Sequence, residues 1–251
     1  MKKIILSMLF IIVVFSCDPL NEPVNNIKYS MIGNLVVNAN QQEMYIYNTI
    51  ALNDLNWISG GSISSNKYLA KNAKIIVKNE ENTSYSYMLN LDTNVYYYTS
   101  SFKPKPLNRY TLKISINGDE LNGETISPGD FSIISPLPNQ HFTQVNDTIK
   151  IPTIWNASKN SFGYKVSVFS NYNVWNNYSG RYSREISFIT QDTSFIYEEK
   201  TRGRSIYRIE IMAFDKNFYE HIIQKIPSAG IKGAYGYFGS SVLKSITIKI
   251  N

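Results

Sequence analysis

The sequence holds one cysteine, Cys17, and two histidines, His141 and His221, in 251 residues. A disulfide needs two thiols, and the common structural zinc sites need four sulfur or imidazole ligands, so neither an internal disulfide framework nor a zinc finger is available. Charge is sparse, at 18% of residues. The densest basic group, Lys200, Arg202 and Arg204, stands beside Glu198 and Glu199, which argues against a stripe that tracks phosphates. No nucleic-acid partner is expected. A glycine-rich phosphate loop with its lysine and hydroxyl residue is missing, as is a Gly-x-Ser-x-Gly nucleophile context. Neither histidine has a second one at metal-ligand spacing. Asp54, Asp92, Asp130, Asp215 or Glu220 would have to pair for glycosidase chemistry, and the separation of about 5–9.5 Å that it needs is a property of the fold. The expectation is a non-enzyme with no catalytic residues, no metal and no cofactor.

Long hydrophobic runs are missing too, with one exception. Lys2 and Lys3 precede an uncharged stretch from Ile4 to Phe15. It is shorter than the roughly 18–20 residues of a membrane span and inside the roughly 7–15 of a secretory core, so residues 1–16 read as a signal peptide. The stretch ends in Val14-Phe15-Ser16-Cys17, which resembles a bacterial lipobox: an aliphatic residue at −3, a small one at −1, then the cysteine that is lipidated and becomes the new N-terminus. Phe15 at −2 is bulkier than the usual residue. The plainer alternative is an ordinary signal peptide followed by a chance cysteine. A triacylated Cys17 would carry three hydrocarbon chains where two suffice for stable anchoring, so the expected partner is a membrane and the mature protein is expected to stay on its surface. Loss of Lys2 and Lys3 leaves 23 basic residues against 19 acids, a formal +4.

What is abundant is aromatic and apolar: 43% hydrophobic residues and 19 tyrosines, the composition of a folded globule. Residues 17–28 read as the lipidated cysteine and a flexible tether. Beyond them the pattern is β throughout, in short runs rich in Val, Ile, Tyr and Thr separated by Asn, Gly, Ser and Pro. Tyr110, Leu112, Ile114 and Ile116 share one face of a strictly alternating run, and Asn117-Gly118 after it is a hairpin signal. Pro128 and Gly129 mark a boundary. The expected architecture is all-β: two antiparallel β-sandwich domains of immunoglobulin/fibronectin III-like type, over 29–128 and 129–251. In the second, Ile154-Trp155 stands nine residues before Tyr164-Lys165-Val166, an arrangement similar to the fibronectin type III one, in which Trp155 packs in the core beneath the Tyr-x-Val strand. Asp215 to Ile222 is the one stretch expected to form a short helical turn.

With the lipobox, Ala73-Lys74-Ile75-Ile76-Val77, Tyr110-Thr111-Leu112-Lys113-Ile114 and Thr125-Ile126-Ser127-Pro128, the chain resembles the Bacteroidota lipoproteins called domain of unknown function 4249. The stretch from Ala229 to Gly239 is similar to that family's closing pattern at Gly233, Gly236, Phe238 and Gly239, and departs from it at Gly230 and Ala234. The resemblance implies an outer-membrane lipoprotein partnered with a TonB-dependent transporter, with no established activity and no catalytic residues.

Candidate contact residues follow from exposed-looking aromatics. Trp57, in Leu55-Asn56-Trp57-Ile58-Ser59-Gly60-Gly61, and Trp175 with Tyr178, in Tyr172-Asn173-Val174-Trp175-Asn176-Asn177-Tyr178, lie among amides that suit a sugar or a protein surface. The plainer reading is that they cover the ends of a sandwich. Tyr235 and Tyr237, within Gly233 to Gly239, belong either to a flexible aromatic loop that touches a ligand or to a bulged loop with Phe238 in the core. Asp147-Thr148-Ile149 resembles a Bacteroidota O-glycosylation pattern or is a plain strand start. The leading reading is a non-catalytic lipoprotein serving as accessory or ligand-capture partner of a TonB-dependent transporter; the rival is an independent glycan-binding or adhesive module, and a glycan or peptide ligand fits either.

Overall fold

Alternation decides most of the strands. The computed structural model describes residues 28–48, 69–90, 97–138, 140–142, 145–146, 148–173, 181–200 and 205–250. Its first part runs β1 (Tyr29–Val36), β2 (Gln42–Asn48), β3 (Lys74–Asn79), β4 (Ser84–Asn90), β5 (Tyr97–Ser100), β6 (Arg109–Ile116) and β7 (Asp119–Ile126). There follow β8 (Ile133–Ser135), β9 (His141–Phe142), β10 (Thr148–Trp155), β11 (Gly163–Asn173), β12 (Arg181–Thr190), β13 (Ser194–Lys200) and β14 (Ser205–Phe214). A helix α1 (Lys216–Ile222), two short strands β15 (Ser228–Ala229) and β16 (Ile231–Lys232), and the long β17 (Tyr235–Ile250) complete the chain. In β6 the four apolar side chains from Tyr110 to Ile116 are buried and the residues between them face outward. Asn117 and Gly118 take positive φ of 49° and 89° and close a two-residue turn that sets Ile116 opposite Asp119.

The protein is all-β: the described residues form a fourteen-stranded sheet, twelve strands in the order β12-β11-β14-β17-β1-β2-β5-β4-β3-β6-β7-β16 with β9 and β15 also paired to β17, and a three-stranded sheet β13-β10-β8. The expectation of purely antiparallel sheets is corrected here: β1, β9 and β15 each run parallel to β17, so the large sheet is mixed. The cause is the route of the chain, since β17 starts at the same end of the molecule as β1 and can lie beside it only in parallel.

Two cores result. Side chains from β1 through β7, β16 and β17 meet in one cluster centred on Met31, Met44, Ile75, Leu112, Ile114 and Phe238, so this part of the sheet must curl round to enclose it. The second cluster lies between β11, β12, β14 and β17 on one side and the small sheet on the other, and contains Ile149, Ile151, Val166, Tyr207, Ile209 and Ile248. Trp155, 2% exposed, packs there edge-on against Tyr164 at 5.3 Å, as its spacing suggests. Strand β17 serves both cores. Tyr235 to Ser241 pair with β1, Ser241 to Ile250 pair with β14, and its 16 residues at roughly 3.3 Å each span about 50 Å. The first core thereby takes Ile231, Ala234 and Phe238 from far beyond residue 129.

Candidate functional site

The cleft best placed for chemistry opens where β7, α1 and the β10–β11 connection meet. It has a volume of about 380 Å³ and is walled by Thr125 and Ile126, by Phe162, and by Asp215, Lys216 and Asn217. Asp215 precedes α1 with an extended backbone and caps it: its Oδ1 accepts from the Phe218 amide at 3.0 Å. Thr125 Oγ1 on β7 donates to Oδ2 at 2.5 Å and lies 2.9 Å from Ser240 Oγ on β17, while the Asp215 amide donates to the Ser240 carbonyl at 3.0 Å. Asp215 as a residue is 3% exposed. Burial pushes it up to about 6, partly opposed by the hydrogen bonds from Thr125, Phe218 and Ser240. Burial and the Asp215 charge together push the neighbouring Tyr237 phenol up to about 12.

Around this group, side chains replace a missing strand ladder. β7 and β17 lie against each other without pairing, and Asn217 Nδ2 donates to both the Glu124 carbonyl at 2.7 Å and the Phe238 carbonyl at 2.8 Å. The Glu124 amide donates to the Gly230 carbonyl at 3.0 Å. Close approach needs glycine at two points. A Cβ on Gly230 would fall 2.0 Å from Asn217 Nδ2, and one on Gly236 would fall 1.8 Å from the Met31 carbonyl oxygen, both at positive φ.

That geometry corrects the reading of Gly233 to Gly239 as a loop. From Tyr235 onward the segment is strand β17, with Phe238 fully buried in the first core. Tyr237 is corrected as a contact residue: its ring is 6% exposed, packed edge-on to Phe218 at 5.6 Å and stacked with His221 at 5.4 Å. Tyr235 is half-buried. Cys17, Trp57, Trp175 and Tyr178 lie outside the described residues. The flanks of the two Trp-bearing connections stand at opposite ends of the molecule: Asn48 pairs with Tyr29 at the start of β1, whereas Asn173 pairs with Arg181 beyond the Tyr172–Ser205–Ile250 level. Thr148 is the first residue of β10.

Other sequence candidates do not converge on the cleft. Asp130 pairs with Lys244 at 2.7 Å, Glu220 pairs with Lys216 at 3.3 Å, and Asp54 and Asp92 lie outside the described residues. His221 Nδ1 lies 2.9 Å from the Ile226 carbonyl, and His141 stands exposed on β9. Among the described residues no three His, Cys, Asp or Glu side chains gather as a metal group, and no helix is long and apolar enough to cross a membrane. From the sequence, Asp215 stands out as one of several acids and as the start of an expected helical turn. Asp215-Lys216-Asn217-Phe218 does carry a helix-capping signature, but nothing local links it to Thr125, 90 positions away.

No known family profile matches the chain, and no curated protein does. Among solved structures, a DUF4785 family protein from Legionella pneumophila aligns at 5% identity and a TM-score of 0.25, over 74% of this chain and 52% of that one. The native form of E. coli alpha-2-macroglobulin aligns at 7% identity and 0.28, over 89% and 14%. CBD12 from CALX1.2 aligns at 11% identity and 0.25, over 89% and 99%. The chain thus spans about half the length of the Legionella protein and a small part of the macroglobulin.

Proposed function

We propose that this chain is a lipoprotein held in the outer membrane through Cys17 and acting by binding rather than catalysis, as an accessory or ligand-capture partner of a TonB-dependent transporter. The observation that carries the reading is Val14-Phe15-Ser16-Cys17 at the end of the single uncharged apolar run, twelve positions before β1 begins. Extended, residues 17–28 reach at most about 35–40 Å, enough to hold the β body clear of lipid headgroups. Lys28 enters the fold against Asp119, 3.2 Å away, at the end of the first core remote from the second. In this reading the two cores are immunoglobulin/fibronectin III-like sandwiches, and the Trp155–Tyr164 contact supports that assignment for the second. The occupation of the Asp215 carboxyl by the chain's own Thr125 and Phe218 donors supports a cleft built for shape rather than for proton transfer.

Affinity purification through a C-terminal tag in mild detergent tests the partnership. Recovery of a large outer-membrane barrel protein is expected; the lipoprotein alone would contradict it. Retention on a glycan array that is lost in Trp57→Ala or Trp175→Ala would instead assign an independent glycan-binding module.

A further inference from the structure

Among the described residues the two sheets end in four strands, and three of these edges are guarded. β16 is two residues long, β8 is three residues long and runs into Pro136, and β13 closes on Glu198, Glu199 and Lys200. Short strands, prolines and charges of this kind keep an edge from pairing with other chains. β12 is different. Among the described residues it pairs with β11 alone, and from Ile186 to Thr190 it has no charge, proline or glycine and is rich in strand formers.

The two faces of this edge carry different chemistry. Inward, Ile186 and Phe188 pack against the second core and stay half-buried there, with Phe188 edge-on to Phe195 at 5.4 Å. Outward, Ile189 is 40% exposed beside Lys165 of β11. Glu185 is exposed opposite Phe169, whose ring carries the Arg208 guanidinium at 4.5 Å, and that cation is engaged by Glu210 at 3.1 Å. Neither Lys165 nor Glu185 has an ion-pair partner among the described residues. The edge therefore offers an apolar inner pair and, on its outer face, one acid and one base left over.

We propose that β12 is a self-pairing edge that joins two copies of this chain, antiparallel, about a two-fold axis through Ser187. An axis perpendicular to the sheet keeps each face on its own side, so a residue can oppose only those an even number of positions away. Centred on Ser187, Ile186 of each copy meets Phe188 of the other, and the second core continues across the join. On the outer face Glu185 meets Ile189 of the other copy. Lys165 of that copy stands one strand further on, about 10 Å from Glu185 between Cα atoms and within reach of two long side chains. The acid and base left over in one copy are thus matched by those of the other, twice by symmetry. Neighbouring registers lack this fit: an axis at Ile186 sets Glu185 against Ser187, one at Phe188 sets Ile186 against Thr190, and one at Glu185 sets like charges face to face. Antiparallel joining turns the bodies end for end, so their Lys28 ends point apart and copies anchored through Cys17 would stand on facing membranes.

Disulfide capture on the purified full chain tests this. A residue on the axis faces its own counterpart at a Cα separation of about 4.5–5.5 Å, inside the range a disulfide spans. Mild oxidation of Ser187→Cys should therefore give a covalent dimer on a non-reducing gel, while Ser245→Cys, equally outward on β17, should give no more dimer than the wild type. Both serines are exposed, so both variants should keep the fold, which circular dichroism checks. Lys165→Glu or Glu185→Lys, each added to Ser187→Cys, should lower the dimer yield several-fold, and the two reversals together should restore it. No dimer from Ser187→Cys, as much dimer from Ser245→Cys, or charge reversals without effect or without rescue would overturn the proposal. Capture of a different protein by Ser187→Cys in place of the dimer would overturn it too and assign the edge to a foreign strand.

Discussion

Gly236 and Gly118 both sit at positive φ, yet their surroundings differ. Gly236 is pressed against the Met31 backbone of β1, whereas nothing lies within 4 Å of a Cβ built on Gly118. Alanine at 236 must push two parallel strands apart as well as hold a disfavoured backbone, so Gly236→Ala should cost on the order of 3–5 kcal/mol. Gly118→Ala pays only the backbone preference, about 1 kcal/mol. Urea midpoints at a common slope measure both, and equal losses would show that close strand approach is not what glycine serves at 236. The same crowding explains why the glycines of this segment are better read as packing residues than as a ligand loop.

At the scale of elements, local signals were legible and long-range ones were not. β6 stands where its alternation puts it, the Asn117-Gly118 turn closes as its residue types suggest, and α1 begins one residue after the acid that caps it. The first half of β17 was not readable, because Gly236 and Gly239 interrupt an apolar alternation and the parallel pairing with β1 leaves no turn between partners. The cleft was hidden for the same reason: Thr125, Asp215 and Ser240 are unremarkable singly and far apart in the chain, and they meet only once β7 lies against β17. The small sheet gives a prediction of its own. Ile151 on β10 points into the second core and is fully buried, while Ile196 on the paired strand β13 is 67% exposed. Ile151→Ala should cost about 2–5 kcal/mol through the cavity it leaves. Ile196→Thr should stay within about 0.5 kcal/mol, and thermal melts of the two variants check the contrast.

For the whole molecule the decisive feature is that one strand belongs to both cores. Breaking either core frays β17 and takes ladder bonds from the other, so unfolding in urea should follow a single transition, with circular dichroism and tryptophan fluorescence coincident. Two separated transitions would mean that the shared strand transmits little. Rigid coupling of this kind fits the proposed lipoprotein, whose body would be held at Lys28 with its far end toward a partner. The proposed anchoring rests on lipid at Cys17. Metabolic labelling with radioactive palmitate tests it most directly: the wild-type protein should take up label and Cys17→Ala should not, and equal labelling of the two would contradict the account.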